Sequence, residues 1–137
     1  MCVSSSTTTR RYAAAVAHVL VATDSDAVAE EVFAALADAD TTVSRIRKGA
    51  DVRPVVAELA PDLVILDLQI GNMGGIAASL DLRLEAEAER VPETRILMLL
   101  DREADRWIAG EARADDELVK PINAFQLRNA AMALLAS

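Results

Sequence analysis

The sequence predicts a single α/β domain in which a strand and a helix alternate five times. Parallel strands joined by helices give a sheet covered by helices on both faces. Three observations carry this. Two continuous apolar runs, Asp62-Leu-Val-Ile-Leu-Asp67 and Arg95-Ile-Leu-Met-Leu-Leu100, are bounded by turn residues and suit strands buried on both faces. Around them lie stretches whose apolar residues recur at helical spacing. The length, 137 residues, fits one core that buries most of its apolar surface without staples.

Taken in order, residues 18–22 (His-Val-Leu-Val-Ala) read as the first strand, and 23–26 as turn and cap. Ser25 or Asp26 can cap a helix running to about residue 38, with Val28, Val32, Phe33 and Leu36 at helical spacing. Residues 41–47 alternate weakly and end at Gly49, which predicts a second, more exposed strand. A short helix over 51–59 tolerates Pro54 near its first turn. After the third strand, 75–89 is helical, with Ile76, Leu80 and Leu84 expected inside and Arg83, Glu85, Glu87 and Glu89 outside. Pro92 stops it before the fourth strand, which again leads to an acid, Asp101. A weaker helix over 103–112 groups Ala104, Trp107 and Ile108, and its internal Gly110 costs about 1 kcal/mol relative to Ala. A last strand covers 117–120. Asn123 then caps a final helix with Phe125, Leu127, Met132 and Leu135.

Composition removes several functions. The net charge of -8 argues against direct binding of nucleic acid or an anionic membrane, both of which want a basic face. Cys2 is the only cysteine, so no internal disulfide forms and a reducing, cytoplasmic setting is the simplest expectation. One Cys and one His (His18) do not make a zinc site. No apolar run approaches the roughly 18–20 residues of a spanning helix. Arg10-Arg11 before an apolar stretch resembles a twin-arginine signal, but that stretch is mostly alanine, holds His18 and overlaps a good strand. Residues 1–17 are expected to be a flexible extension, with the domain at 18–137.

Stacking the strands brings three charged groups to one edge, where open α/β sheets keep their ligands: Asp24, Asp67 and Lys120. Neighbouring carboxylates repel, and a hard divalent cation such as magnesium resolves that conflict while bridging to phosphate. A lysine ammonium serves as a point charge for a phosphoryl oxygen. An aspartate is ionised at neutral pH and attacks phosphorus with no general base. The chemistry this set suits is phosphoryl transfer onto Asp67, with the metal and Lys120 offsetting charge on the transferring group.

Val19-Leu-Val-Ala-Thr-Asp24, Asp62-Leu-Val-Ile-Leu-Asp67, Met73-Gly-Gly75 and Ala114-Asp-Asp-Glu-Leu-Val-Lys-Pro121 together resemble a bacterial two-component response-regulator receiver domain over roughly 18–135. The resemblance implies a flavodoxin-like, doubly wound (βα)5 fold with strand order 2-1-3-4-5. It implies phosphorylation of Asp67 by a sensor histidine kinase or phosphotransfer protein. Magnesium would be held by Asp24, Asp67 and the Gln69 backbone carbonyl. Lys120 would contact the phosphoryl group, and its bond to Pro121 would be cis. The departures from the family pattern are equally specific. Thr23 replaces one of two acids ending the first strand, which should weaken magnesium binding. Leu100 (or Leu99) stands where a Ser or Thr hydroxyl turns toward the phosphoryl group, and Glu117 stands where a Tyr or Phe moves inward. The loop after the fourth strand is about two residues short, Gly71 replaces a loop proline, and Arg113 replaces a glycine. The familiar hydroxyl-plus-aromatic relay therefore cannot operate here.

Two functions follow from this. In the first, a stand-alone receiver is phosphorylated on Asp67 and signals by binding proteins, an expectation drawn from a sequence that ends with the last helix. In the second, a divergent receiver is a phosphorylation-independent, constitutive interaction module. In neither is the protein an enzyme beyond its own phosphorylation; an aspartyl phosphatase would want an acid at 69, where Gln69 stands. Residues 101–117 hold seven acids against three arginines, net -4 of the chain's -8. The family docks partners on the face of its fourth helix, fifth strand and fifth helix. Trp107, Glu111 and Glu117 are thus the expected partner surface, facing a downstream protein with a basic patch. Homodimerisation stays open.

Overall fold

The structure is a computed structural model and describes residues 17–71 and 73–137. Five strands, β1 (Ala17–Ala22), β2 (Thr41–Ile46), β3 (Leu63–Asp67), β4 (Arg95–Leu100) and β5 (Asp116–Val119), alternate with five α-helices. The helices are α1 (Asp26–Leu36), α2 (Val52–Leu59), α3 (Gly75–Glu87), α4 (Arg106–Glu111) and α5 (Ala124–Leu135), with 3-10 turns leading into α2 and α4. All strand pairings are parallel, in the order β2-β1-β3-β4-β5. This is the expected doubly wound sheet. The flexible extension expected over 1–17 falls outside the described residues except for Ala17, which opens β1.

The period of two along each strand divides the core. Leu20, Ala22, Val64, Leu66, Ile96, Met98 and Leu100 face Val52 and Val56 of α2, Ala78 and Leu82 of α3, and Ala109 of α4. Val19, Val21, Leu63, Ile65, Leu97 and Leu99 face Val28, Val32 and Leu36 of α1, with Leu127 and Ala131 of α5. Every residue of β3 is buried, which is why its sequence reads as an unbroken apolar run. Register then carries the strand ends to one edge: Asp67 lies opposite Leu99, and Val119, just before Lys120, lies opposite Leu100.

Local chemistry fixes the helix starts. Ser25 caps α1 by accepting from the Val28 amide, and Asn123 caps α5 by accepting from Gln126. Three helix faces differ from the sequence expectation. On α3, Leu84 is 58% exposed, while Glu85 turns inward and is paired with Arg90 and Arg53. On α5, Phe125 is 73% exposed, and Leu127 and Ala131 pack instead. The helix expected over 103–112 is split between a 3-10 turn and six residues of α4, which place Trp107 outward at 69% exposure and bury Ala109.

Candidate functional site

The third strand delivers Asp67 to the sheet edge with only 2% of its surface exposed. A buried carboxylate needs partners, and three donors supply them. The Lys120 ammonium donates to Oδ1 at 2.7 Å and the Gln69 amide to the same oxygen at 3.2 Å. The Thr23 hydroxyl donates to Oδ2 at 2.8 Å. Thr23 is itself fully buried and held from two sides. Its hydroxyl accepts from the Ser25 amide at 3.1 Å, and its carbonyl accepts from the Arg45 guanidinium at 3.1 and 2.9 Å. The side chain in place of the missing acid therefore fixes the orientation of the Asp67 carboxylate.

Asp24, next in the chain, is exposed and accepts a 3.1 Å hydrogen bond at Oδ2 from the amide of Gly71. A proline at 71 would have no such donor. The Gly71 carbonyl in turn accepts from the Gly49 amide, tying this loop to the segment after β2. Below it, Gly75 starts α3 so close to β3 that an added Cβ would lie 2.6 Å from the Asp67 carbonyl oxygen.

Lys120 has a second acid. Its ammonium donates to Asp101 Oδ1 at 3.0 Å. Burial works to lower the Lys120 pKa, but the hydrogen bonds to Asp67 and then Asp101 outweigh it and hold the ammonium above the ordinary lysine value. The Lys120–Pro121 bond is cis. Leu100 is sealed in the core, and only its carbonyl reaches the site, accepting from the Lys120 amide at 2.8 Å. Glu117 points away and accepts from Arg106 at 2.8 Å. The structure thus brings Asp67, Lys120, Thr23, Asp24 and Gln69 together, and places Trp107, Glu111 and Glu117 on the separate α4–β5 side.

Sequence reasoning did not assign Asp101 or Arg45 to the site. Asp101 carried a signal, an acid ending an apolar strand as Asp67 does. Arg45 carried none beyond its position near the end of an exposed strand.

A family model described as the response regulator receiver domain matches residues 19–132. The chain belongs to that family. It is 35% identical over 95 residues to the phosphate regulon transcriptional regulatory protein PhoB of Rhizobium meliloti, covering 68% of this chain and 40% of PhoB. It is 27% identical over 120 residues to protein PilH of Pseudomonas aeruginosa, covering 88% of this chain and 98% of PilH. Among solved structures, the chemotaxis response regulator CheY4 of Vibrio cholerae superposes with a TM-score of 0.76 at 24% identity, covering 87% of this chain and 98% of CheY4. Receiver domains are signalling modules of two-component systems, in general without a separate catalytic activity. They interact with histidine kinases, phosphotransfer proteins and downstream effectors, and bind magnesium at the phosphorylation site. Among the described residues no helix is long and apolar enough to cross a membrane.

Proposed function

We propose that this receiver accepts a phosphoryl group on Asp67 from a histidine kinase or phosphotransfer protein and signals through protein–protein contacts. The observation that carries the reading is the set of donors that orients the buried Asp67 carboxylate: Lys120 and the Gln69 amide on one oxygen, Thr23 on the other. An Asp67 oxygen gives an electron pair to the phosphorus of a phosphohistidine. The P–O bond forms from that pair as the P–N bond breaks, and the leaving imidazole nitrogen keeps the electron pair of the broken P–N bond. Lys120 lies where its ammonium meets the charge of the incoming phosphoryl oxygens.

For magnesium, the donors present are of the right type: the carboxylates of Asp24 and Asp67 and the Gln69 carbonyl, all hard oxygens. They fall short in charge, because Thr23 contributes a neutral hydroxyl and, among the described residues, no three Asp, Glu, His or Cys side chains converge as a metal-holding group. A bound magnesium would supply charge neutralisation on the phosphoryl group. The site fits that ion weakly. Thr23 and the Gly71 amide already occupy one oxygen of each carboxylate.

The partner surface in this reading is the α4–β5–α5 side, where Trp107 and Phe125 stand out from the protein. Its acidity is largely committed: of the seven acids, Asp101, Glu103, Asp105, Asp115 and Glu117 hold a Lys or Arg. Among the described residues, Glu111 and Asp116 hold no Lys or Arg and are left to meet a basic patch. The second reading, a constitutive interaction module, is favoured by the two switch positions. Leu100 is locked in the core and Glu117 in an ion pair.

The test is incubation of the full chain with magnesium and either beryllofluoride, read by NMR, or a small phosphodonor, read by intact mass, beside Asp67→Asn. A magnesium-dependent adduct that disappears in the variant is expected. An adduct that survives Asp67→Asn, or none at high magnesium, overturns the phosphoacceptor reading, and the second result leaves the constitutive module standing.

A further inference from the structure

Asp67 and Asp101 share one ammonium, yet they are held very differently. Asp67 receives three hydrogen bonds on its carboxylate. The Asp101 carboxylate, 32% exposed, receives one among the described residues, from Lys120. We propose that Asp101 is a positioning residue that links the state of Asp67 to α4: it holds Lys120 while Asp67 is free and is released when a phosphoryl group takes the ammonium. The inference rests on the phosphoacceptor reading of Asp67.

Charge decides which contact gives way. Asp67, Lys120 and Asp101 sum to one negative charge. Phosphorylation replaces the single charge of Asp67 with about -1.5 to -2 and three strong acceptor oxygens beside the same ammonium. Those oxygens compete for Lys120 and repel the nearest carboxylate free to move. Thr23 and Gln69 retain Asp67, whereas among the described residues the Asp101 carboxylate has no second hydrogen-bond donor.

The release has a short path outward. Asp101 is followed by Arg102, whose guanidinium grips the buried Asp105 at 3.0 Å across the 3-10 turn. Arg106 then bridges Glu103 and Glu117, each at 2.8 Å, and Trp107 comes next. With Leu100 sealed and Glu117 already paired to Arg106, these ion pairs on successive residues of one segment give a route for reporting on Asp67. It needs neither a hydroxyl at 100 nor an aromatic at 117.

Trp107 is the only tryptophan, so the full chain gives one indole N–H resonance, placed on α4. Two arms test the proposal by NMR of that resonance. Without phosphodonor, Asp101→Asn is expected to move the peak part of the way, about half or more, toward its position in wild type with beryllofluoride and magnesium. Asp101→Glu, which keeps a carboxylate for Lys120, and Glu58→Gln, an exposed acid of α2 that does not touch Lys120, are expected to leave it near wild type. A wild-type peak position in Asp101→Asn overturns the proposal, as does a wild-type adduct that forms with no movement of the indole. Should wild type take no adduct, the phosphoacceptor reading fails. The link from Asp101 to α4 is then still decided by whether Asp101→Asn moves the indole away from its position in Asp101→Glu.

Discussion

α3 and α4 flank the same sheet edge, and each contains a glycine. The two glycines meet opposite surroundings. A Cβ on Gly75 would strike the Asp67 carbonyl oxygen at 2.6 Å and Leu68 Cα at 3.0 Å, both backbone atoms. A Cβ on Gly110 would meet nothing within 4 Å. α3 runs for 13 residues and buries Ala78, Ser79 and Leu82 among others, whereas α4 runs for six and buries Ala109. α3, behind Asp67, is thus seated backbone to backbone, whereas α4 buries one alanine. In the proposed scheme, rigidity sits where Asp67 must be held and looseness where α4 must shift.

One substitution at the two glycines should therefore give effects of opposite sign. Gly75→Ala forces β3 and α3 apart and is expected to cost roughly 1–3 kcal/mol, as overpacking does. Slower adduct formation should accompany it, because the displaced backbone carries Asp67. Denaturant midpoints beside intact-mass time courses check both, and an unchanged midpoint would mean that α3 can slide. Gly110→Ala removes a flexible residue from an exposed helical position and should stabilise by about 0.4–1 kcal/mol. A loss of stability there would show that α4 is more tightly packed than its open surroundings suggest.

The same contrast separates what could be read in the sequence from what could not. β1, β3 and β4 are legible because a strand buried on both faces leaves an unbroken apolar run, whereas the half-buried β2 and β5 show only weak alternation or a short run before Pro121; the Asp67–Lys120 pairing follows from where the strands end. The helix faces did not. Ile76, Leu80 and Leu84 suggest a stripe, but α3 packs closely through Gly75, Ala78 and Ser79, so small residues go inward and Leu84 goes out. Glu85 can turn inward because Arg90 and Arg53 neutralise it, and neither partner is visible in a helical pattern. Phe125 reads as core by hydropathy alone and lies outside. Arg113, in place of the family glycine, adopts φ 63°, a left-handed conformation that its side chain type would not forecast. Asp101 is hard to assign for a related reason: its partner lies 19 residues away, just past the end of the next strand.

The smallest expected effect concerns acid. Arg90, through hydrogen bonds of 2.8 and 2.9 Å, holds the Glu85 carboxyl down to about 2, against burial and with help from Arg53 of α2. A carboxyl whose pKa is depressed on folding contributes stability that is present above its unfolded value of about 4.3 and is lost as pH falls through the folded value. The advantage of wild type over Glu85→Gln should therefore be constant at neutral pH and shrink between about pH 4 and 2. Arg106 likewise lowers Glu103, at the entrance to α4, but that side chain is 75% exposed against 11% for Glu85. Salt screens exposed pairs more than occluded ones. Denaturation series at low and high salt should then erase the acid dependence removed by Glu103→Gln while leaving most of that removed by Glu85→Gln. Equal salt sensitivity at the two positions would mean that α3 is held no more firmly than α4 at this pair, and that the contrast between the helices is confined to the start of α3 at Gly75.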